Sequence, residues 1–394
     1  MGDIEPVRLR SRVVREIAAV PAAHWDRATG NANPFVSHRF LTALEDSGCA
    51  SPRTGWAPWH LVLEDESGAL AAAAPAYMKA HSMGEYVFDQ GWAEAYEQTG
   101  GKYYPKLQVA VPFTPVPGPR LLIAPGVDPA RTRGALARAL TAEGERLGVS
   151  SVHATFCTEE EWRALAAEGW LQRTGEQFHW SNNGYVTFDD FLGELASRKR
   201  KGVRKEREQA LAGGAISVRV LEGGEVTDSD WDAFFAFYTD TGNRKWGRPY
   251  LNRKFFALLG QRMADAVVLV MAYRDGTPIA GALNLRGPDA LFGRYWGCTE
   301  YQPALHFEVC YYQAIAYAID HGLARVEAGA QGPHKLARGY LPVRTYSAHW
   351  IADPVFRRRI AAHLVQERQR IEEDIAALAE FAPFRHDPGD MEAE

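Results

Sequence analysis

The sequence predicts an α/β protein of the α+β kind, in which one plan of mixed sheet and helix occurs twice. Apolar runs at residues 60–65 and 69–79 flank a Glu-Ser-Gly turn, as in a hairpin, and a long helix and a further strand follow them. The same order returns between residues 267 and 330. The chain has 394 residues and is therefore too long for one ordinary hydrophobic core.

The first round continues with a segment of unusual composition. Residues 80–120 are rich in Tyr, Trp, Gly and Pro and are expected to form a long aromatic loop. A helix is expected over Pro129–Leu147 because leucines recur on one face and Gly148 can end it. A strand is expected at residues 151–156, and Thr158 begins a capping box for the next helix.

The second round repeats the hairpin, strand, helix and strand. It is expected to begin with a helix around Trp231, a helix at 252–264 and strands at 267–274, 278–286 and 290–298. A buried helix at 303–320, a strand at 325–330 and a final amphipathic helix are expected to follow. The sequence thus predicts four parts, which are an N-terminal domain (1–190, with the aromatic loop), a basic linking helix (191–215), a C-terminal domain (216–352) and a C-terminal helix with its tail (353–394).

Composition argues against several classes of protein. The formal net charge of −5 does not suit a generally basic nucleic-acid binder, and no DNA partner is expected. No run of about 18 apolar residues predicts a membrane span, and the first residues lack the apolar centre of a signal peptide. The four cysteines are widely spaced and do not indicate a disulfide framework, so a cytoplasmic location is expected. Phosphate-loop, serine-hydrolase, zinc-protease and dinucleotide motifs are all missing from the sequence.

A basic run at residues 197–208 joins the two rounds. It contains seven Lys or Arg residues and two Glu, and such a density of cations can hold phosphate groups. The alternative is a solvated helix between the domains. The cations proposed to hold the phosphates of a donor are Arg198, Lys199, Lys201, Arg204 and Lys205.

A glycine-rich polar loop follows the strand at 325–330. Gln331, His334, Lys335 and Arg338 lie within eight positions, at the end of a strand where α/β proteins place ligand sites. His334 can move a proton near neutral pH, and Lys335 and Arg338 can hold an anion. Gln331 is expected to position the substrate. The alternative is a turn with exposed charges.

The segment His306-Phe-Glu308 opens the predicted buried helix. Glu308 shares a face with Tyr311, so its carboxylate must be paired or have a raised pKa. In the second case it would suit a general base that deprotonates an amine. The alternative is a structural ion pair with an arginine such as Arg294. His306 and Tyr311 are expected beside the substrate, and His306 with Cys310 makes a poor zinc pair, so no metal is expected.

The aromatic loop is the remaining candidate. Trp92, Lys102, Tyr103 and Tyr104 combine rings with lysines, which can stack on bases or sugars and hold phosphate. We expect these residues to contact substrate. The alternative is a lid that packs over the neighbouring sheet.

Three long blocks of the sequence resemble one bacterial family. They are NPFVSHRFLTALEDSGCASPRTGWAPWHLVLED, GEYVFDQGWAEAYEQTGGKYYPKLQVAVPFTPVPGPRLL and HFEVCYYQAIAYAIDHGLARVEAGAQGPHKLARGYLPVRTYSAHWI. The chain resembles, over residues 10–370, the FemAB-like family, also labelled GNAT family N-acetyltransferase or peptidoglycan biosynthesis/recognition protein.

This resemblance implies a fold of two tandem GNAT-like acyltransferase domains. Fem-type transferases pass an aminoacyl group from aminoacyl-tRNA to an amine on a cell-wall precursor, and a basic segment of pattern S-K-x-R-x-x-I-x-K-A links their halves. Ser197, Lys199 or Lys201, Arg204 and Lys205 resemble that pattern in a loose register, with Val203 at the apolar place. GNAT enzymes hold acyl-CoA on a [QR]-x-x-G-x-[GA] loop. In the second round, the segment after Gly297 lacks the later glycine of this motif. In the first round, Leu136 stands where the motif has Gly or Ala.

Together these features predict an acyl- or aminoacyltransferase that forms an amide bond on a small amine or peptide acceptor, in a cleft between the two halves. Positioning, deprotonation of the amine and charge stabilisation are sufficient for this chemistry. The co-substrate is expected to be aminoacyl-tRNA or acyl-CoA, with no other cofactor assigned. Two alternatives stay open, an acetyl-CoA-dependent N-acetyltransferase and a non-catalytic protein that binds a cell-wall precursor, sugar or peptide.

Overall fold

Local capping signals set the ends of the long helix in the first round. Asp128 accepts a hydrogen bond from the backbone N–H of Arg131, Pro129 occupies the first turn, and Gly148 ends the helix in the left-handed conformation. The helix therefore spans Pro129–Leu147, as predicted. The capping box of Thr158 and Glu161 is likewise present at the start of the next helix.

The computed structural model describes residues 8–30, 33–246, 248–329 and 332–385. The strands in these ranges are β1 (Arg10–Val14), β2 (Trp56–Pro58), β3 (His60–Glu64), β4 (Leu70–Ala74), β5 (Ala76–Lys79), β6 (Lys106–Val109), β7 (Leu122–Ile123), β8 (Ser151–Cys157), β9 (Leu171–Ser181), β10 (Ile216–Glu222), β11 (Val267–Arg274), β12 (Thr277–Arg286), β13 (Ala290–Cys298), β14 (Arg325–Glu327) and β15 (Leu341–Ile351).

Helices alternate with these strands. They are α1 (Ala22–Thr29), α2 (His38–Asp46), α3 (Gln90–Gln98), α4 (Pro129–Leu147), α5 (Glu159–Ala167), α6 (Phe188–Glu194), α7 (Ser197–Ala210), α8 (Asp228–Trp246), α9 (Arg253–Arg262), α10 (Leu305–Phe307), α11 (Gln313–Asp320) and α12 (Pro354–Glu380). None of the helices in the described ranges is long and apolar enough to cross a membrane.

The chain forms two compact units, and each unit is assembled from three separate segments. The first unit comprises Met1–Gly175, Tyr250–Arg262 and Arg344–Glu372. The second comprises Glu176–Pro249, Met263–Val343 and Glu373–Glu394. The four-part linear division expected from the sequence remains a prediction, and it did not include this interleaving of segments.

The first unit contains a small and a larger group of strands. The small sheet has the order β1-β3-β4-β7, and the larger group has the order β15-β8-β6-β5-β2. Within the larger group β6 and β8 are parallel, while β15 with β8 and β5 with β6 are antiparallel. Leu136 and Leu140 of α4 are fully buried in the apolar core of this unit.

The second unit has strands in the order β10-β11-β12-β13-β14-β9. Only β13 and β14 run parallel in this group, and the other pairs are antiparallel. Residues of α11 such as Ala314, Ile315 and Ala318 are fully buried in its core. The all-round apolar pattern of the helix predicted at 303–320 is thus explained by burial.

Two expectations about these elements need correction. The segment 80–120 is not one irregular loop, since it contains α3 and β6. Trp92 and Ala93 bury one face of α3, and the four residues of β6 are all buried, so tertiary packing gives this segment its regular structure. The helix predicted at 303–320 begins at Leu305 and is interrupted by a π-helical turn at Glu308–Tyr312, which its apolar pattern did not indicate.

Candidate active site

The candidate site lies in the second unit, where two parallel strands separate. β13 and β14 are paired from Ala290↔Arg325 to Phe292↔Glu327. β14 ends at Glu327, whereas β13 continues to Cys298. The polar loop begins at this C-terminal end of β14, a position where α/β proteins commonly place ligand sites.

Glu327 supplies a buried carboxylate at the point of separation. The residue is 4% exposed, and Oε1 accepts a hydrogen bond of 2.9 Å from Nε of Arg325. Oε2 has no hydrogen-bond partner among the described residues, and Nε2 of His179 is 3.8 Å from it. Burial raises the pKa of Glu327 to about 7. Such a carboxyl can gain or lose a proton near neutral pH.

Lys335 supplies a buried amine within the loop. It lies on a short 3-10 turn, Pro333–Arg338, and is 2% exposed. Its Nζ donates a hydrogen bond of 2.8 Å to the carbonyl oxygen of Gly329. Burial lowers the pKa of Lys335 to about 8. The ammonium predicted to hold an anion therefore points into the loop. At mildly alkaline pH, Lys335 can lose its proton and become a neutral amine.

His334 lies at the surface of this loop beside a group of aromatic rings. Its Nε2 is 2.9 Å from the hydroxyl oxygen of Tyr311, so the tyrosine fixes the position of the imidazole. His306 contacts Tyr311 with ring centroids 5.3 Å apart, and Phe307 stacks on Tyr311 at 6.2 Å. His306 and Phe307 are half-buried, so they present rings to the surface. The structure thus brings together His306, Tyr311 and His334.

Arg338 of the same loop is paired with the basic helix. Its guanidinium donates to both carboxylate oxygens of Glu206, at 3.1 and 2.8 Å, and lies 3.4 Å from the ring centroid of Phe307. Tyr312 also donates to Glu206. Gly339 ends the turn at φ 89, and a Cβ there would be 2.8 Å from the ring of Phe191. Arg338 therefore anchors the loop, and its role toward an anionic substrate remains a prediction.

Glu308 is fully buried and paired with an arginine. Nε and Nη2 of Arg207 each donate a hydrogen bond of 3.0 Å to the carboxylate, and Nε2 of Gln313 donates one of 2.7 Å. The arginine is Arg207 of α7 and not Arg294, the example expected from the sequence. Three donated hydrogen bonds thus hold this carboxylate, and its role as a general base remains a prediction.

The helix α7 carries cations on its outer face. Arg198, Lys199, Lys201, Arg204 and Lys205 are all exposed. Arg204 lies 3.3 Å from Asp189, which is itself exposed, so this contact is weak. Glu206 and Arg207 point inward and attach the helix to the polar loop and to the π turn. The inner side of α7 is therefore held by ion pairs, and its other side presents cations to solvent.

The residues predicted in the aromatic segment belong to the first unit. Tyr103 is buried and donates a hydrogen bond of 2.7 Å to Asp89, and Trp92 packs its ring 4.9 Å from that of His349. Tyr104 is half-buried, and Lys102 is exposed. Their contact with substrate remains a prediction. Gln331 lies outside the described residues.

Sequence reasoning missed two groups of this site. Glu327 began the polar stretch but received no role, because a carboxylate at a strand end gives no local sign of burial. The inward pairing of Arg207 was missed because it joins residues 101 apart in sequence. Among the described residues no group of three or more His, Cys, Asp or Glu side chains is placed to hold a metal ion.

Solved structures of two other proteins have the same fold. FemX aligns with a TM-score of 0.54 and 10% identity, over 89% of this chain and 100% of that chain. The C-terminal domain of a putative lysylphosphatidylglycerol synthetase from Agrobacterium fabrum aligns with a TM-score of 0.53 and 10% identity, over 88% of this chain and 96% of that one. The predicted fold class is confirmed.

Sequence comparison gives the family. No curated protein matches the chain significantly. Residues 16–386 match the profile of the FemAB-like family, described as peptidoglycan biosynthesis/recognition, which confirms the predicted resemblance. Family and fold together support an acyl- or aminoacyltransferase in general. Because the match spans nearly the whole sequence, the chain belongs to the FemAB-like family.

Proposed function

We propose that this protein is an amide-forming transferase that moves an aminoacyl group from aminoacyl-tRNA to an amine of a peptidoglycan precursor. The description of its family and the fold that it shares with FemX support this proposal. The single observation that carries it is the presence of two buried titratable groups, Glu327 at the end of β14 and Lys335 in the loop that follows.

The chemistry of amide formation explains why such groups matter. An acceptor amine is mostly protonated at neutral pH and must lose a proton before its nitrogen attacks the carbonyl carbon of the donor ester. A base whose pKa lies near the working pH is the most effective acceptor of that proton. Glu327, with a pKa of about 7 and an oxygen that has no partner in the described chain, meets this condition. Glu308 and His334, the latter held by Tyr311, remain the two proton acceptors proposed from the sequence.

An RNA-linked donor fits the surfaces of the second unit. The exposed cations of α7 suit a phosphate backbone. The half-buried rings of His306 and Phe307 suit an unpaired base, since proteins commonly stack single-stranded RNA bases on aromatic side chains.

Acetyl-CoA is the weaker candidate for the donor. The loop before α10 carries Glu300, paired with Arg274 at 3.1 Å, and Ala304 in the left-handed conformation. A carboxylate repels a pyrophosphate, and a non-glycine residue in this conformation gives no close backbone approach.

Transfer assays with both donors test the proposal. The protein would be incubated with muramyl-peptide precursors and either tRNA charged with radiolabelled amino acids or radiolabelled acetyl-CoA. We expect label to pass from tRNA to the precursor in a bond that resists mild base, as an amide does. Label from acetyl-CoA alone would favour the N-acetyltransferase. Binding of precursor without transfer from either donor would favour a non-catalytic protein.

Variants then test the assignment of the base. Glu327→Gln and His334→Ala should each lower kcat by about 100-fold or more if the side chain takes the proton. Glu145→Gln, an exposed carboxylate on α4, is the matched control and should leave kcat unchanged. Unchanged kcat in both test variants would remove the assignment while leaving the transferase proposal in place.

A further inference from the structure

One face of the larger group of strands in the first unit is lined by buried polar side chains. Successive side chains of a strand point to opposite faces, so alternate residues share a face. The residues on this face, here called the polar sheet face, are Tyr77, Lys79, Lys106, Gln108, Ser151, His153, Thr155, Ser347 and His349, and each is 6% exposed or less.

The opposite face of the same strands is apolar. Leu107, Val109, Val152 and Ala348 lie there, in the core packed around α4. Sheets with one polar face usually turn that face to water. Here both faces are buried, so the polar sheet face must be stabilised by contacts inside the protein.

Charged residues of the aromatic segment supply part of these contacts. Nζ of Lys106 donates to Oε2 of Glu85 at 2.7 Å and to Oγ of Ser82 at 2.9 Å, and it also donates to Asp89. The carboxylates outweigh burial and raise the pKa of Lys106. Lys106 is therefore a permanent cation shared by two carboxylates.

Lys79 is held less well. It is the direct cross-strand partner of Lys106, an unfavourable arrangement of like charges. Its Nζ donates to the carbonyl oxygen of Met83 at 3.1 Å, lies 3.7 Å from Oε1 of Glu85, and sits 3.7 Å from the ring centroid of Trp56. Burial and the ammonium of Lys106 lower the pKa of Lys79 to about 7, against the opposing effect of Glu85.

Several buried polar atoms around this face have no hydrogen-bond partner within the described chain. Six atoms share this property, and they are Nε1 of Trp56, Oη of Tyr77, Oε1 of Glu85, Oδ1 of Asp89, Oε1 of Gln108 and Nε2 of His349. Each such atom costs about 1–3 kcal/mol when it stays unpaired. Their concentration in one place indicates a site that is built to receive hydrogen bonds.

We infer that the polar sheet face and the carboxylates of Glu85 and Asp89 form a binding site for a small ligand that carries a primary ammonium group. The ammonium donates to Oε1 of Glu85 and Oδ1 of Asp89, and Gln108 accepts from a second donor of the ligand. Both carboxylates belong to residues 80–89, a segment without helix or strand in which Met83 and Phe88 are more than half exposed.

The chemistry of the unpaired atoms selects an ammonium over an anion. Three of the six are oxygens of carboxylate or amide groups, which only accept hydrogen bonds, and an ammonium offers three donors. Lys79 can release its own proton near neutral pH, which leaves two carboxylates against one lysine cation and favours an incoming cation. An anion would instead meet two carboxylates.

Binding of matched amides tests the inference without any acyl donor, so its outcome is separate from the transferase proposal. Calorimetric titration of the full-length protein with glycinamide, which has a free amine, should give saturable binding at pH 8. N-acetylglycinamide, in which the amine is capped, should bind at least about tenfold more weakly. Equal binding of the two compounds, or no binding of glycinamide, would overturn the inference.

Variants locate the site. Glu85→Gln keeps the size of the side chain but removes its negative charge, so affinity for glycinamide should fall by at least about tenfold, the size expected when a charged hydrogen bond is lost. Glu97→Gln, an exposed residue of α3, is the matched control and should leave affinity unchanged. If Glu85→Gln fails to fold, Gln108→Leu serves instead with the same expectation. Full affinity in a folded variant at position 85 or 108 would contradict the assignment.

Discussion

The two units bury charged side chains in different ways. In the second unit, the charges that attach α7 are matched in pairs, and Arg207 with Glu308 forms two hydrogen bonds of 3.0 Å. In the first unit, Lys106 is shared between Glu85 and Asp89, each of which keeps an oxygen without a hydrogen-bond partner in the described residues. The ion pair of Arg207 and Glu308 holds α7 in place. The carboxylate oxygens of Glu85 and Asp89 that have no partner are the ones we propose to accept hydrogen bonds from a ligand. Variants of the central cations should separate these two roles.

The largest effect on stability is expected at Lys106. Lys106→Met leaves two buried carboxylates without their ammonium, so the free energy of unfolding should fall by about 4 kcal/mol. Lys102→Met, an exposed lysine nearby in sequence, should change it by less than about 0.5 kcal/mol. Urea denaturation of both variants measures the difference. A small effect at Lys106 would mean that the first-unit charges contribute little to folding.

A smaller effect is expected at Arg207. Arg207→Met leaves the fully buried Glu308 without its cation, but the side chain of Arg207 is 28% exposed, so solvent screening limits the loss to about 2 kcal/mol. Because a matched pair can be replaced by apolar groups, adding Glu308→Leu should restore most of the stability. Urea denaturation compares the single and double variants, with Arg204→Met as the exposed control. A double variant as unstable as the single one would contradict the structural role of the pair.

An effect of about the same size as that of Arg207, but spread over a range of pH, is expected at Lys79. The pKa of this lysine is about 7 in the folded protein, against an ordinary value of 10.5, so the unfolded chain binds more protons between these values. The free energy of unfolding should therefore rise with pH above about 7, by at most about 1.4 kcal/mol per pH unit. Lys79→Met removes this contribution, so the wild type should gain about 2 kcal/mol relative to the variant between pH 7 and pH 9. If the free energies of unfolding of the wild type and of the variant change with pH in the same way, Lys79 keeps its ordinary pKa in the folded protein.

Local signals allowed the sequence to predict much of the fold. Pro129 and Gly148 define the ends of α4, and a continuous apolar run marks β11, because these features depend on neighbours in the chain. Long blocks of resemblance led to the family, which is confirmed. The polar loop and the basic helix were also recognised, although their catalytic roles remain predictions.

The remaining features depend on contacts between distant residues. Nothing in the sequence shows that Lys79 and Lys106 are cross-strand partners, because their pairing depends on the register of β5 with β6. The partner of Glu308 was open for the same reason. The π turn at Glu308–Tyr312 does not alter the apolar pattern of the helix, so periodicity could not locate it.

The interleaved segments of the first unit have a consequence for its assembly during synthesis. β8 is made early, yet its neighbour β15 lies near the end of the chain. Nδ1 of His153 and Nδ1 of His349 are 2.6 Å apart although the two residues are separated by 196 positions. The nascent first unit must therefore leave this edge unpaired while the ribosome adds the residues between, and a truncated chain that stops before residue 349 would present an open strand prone to association with other chains.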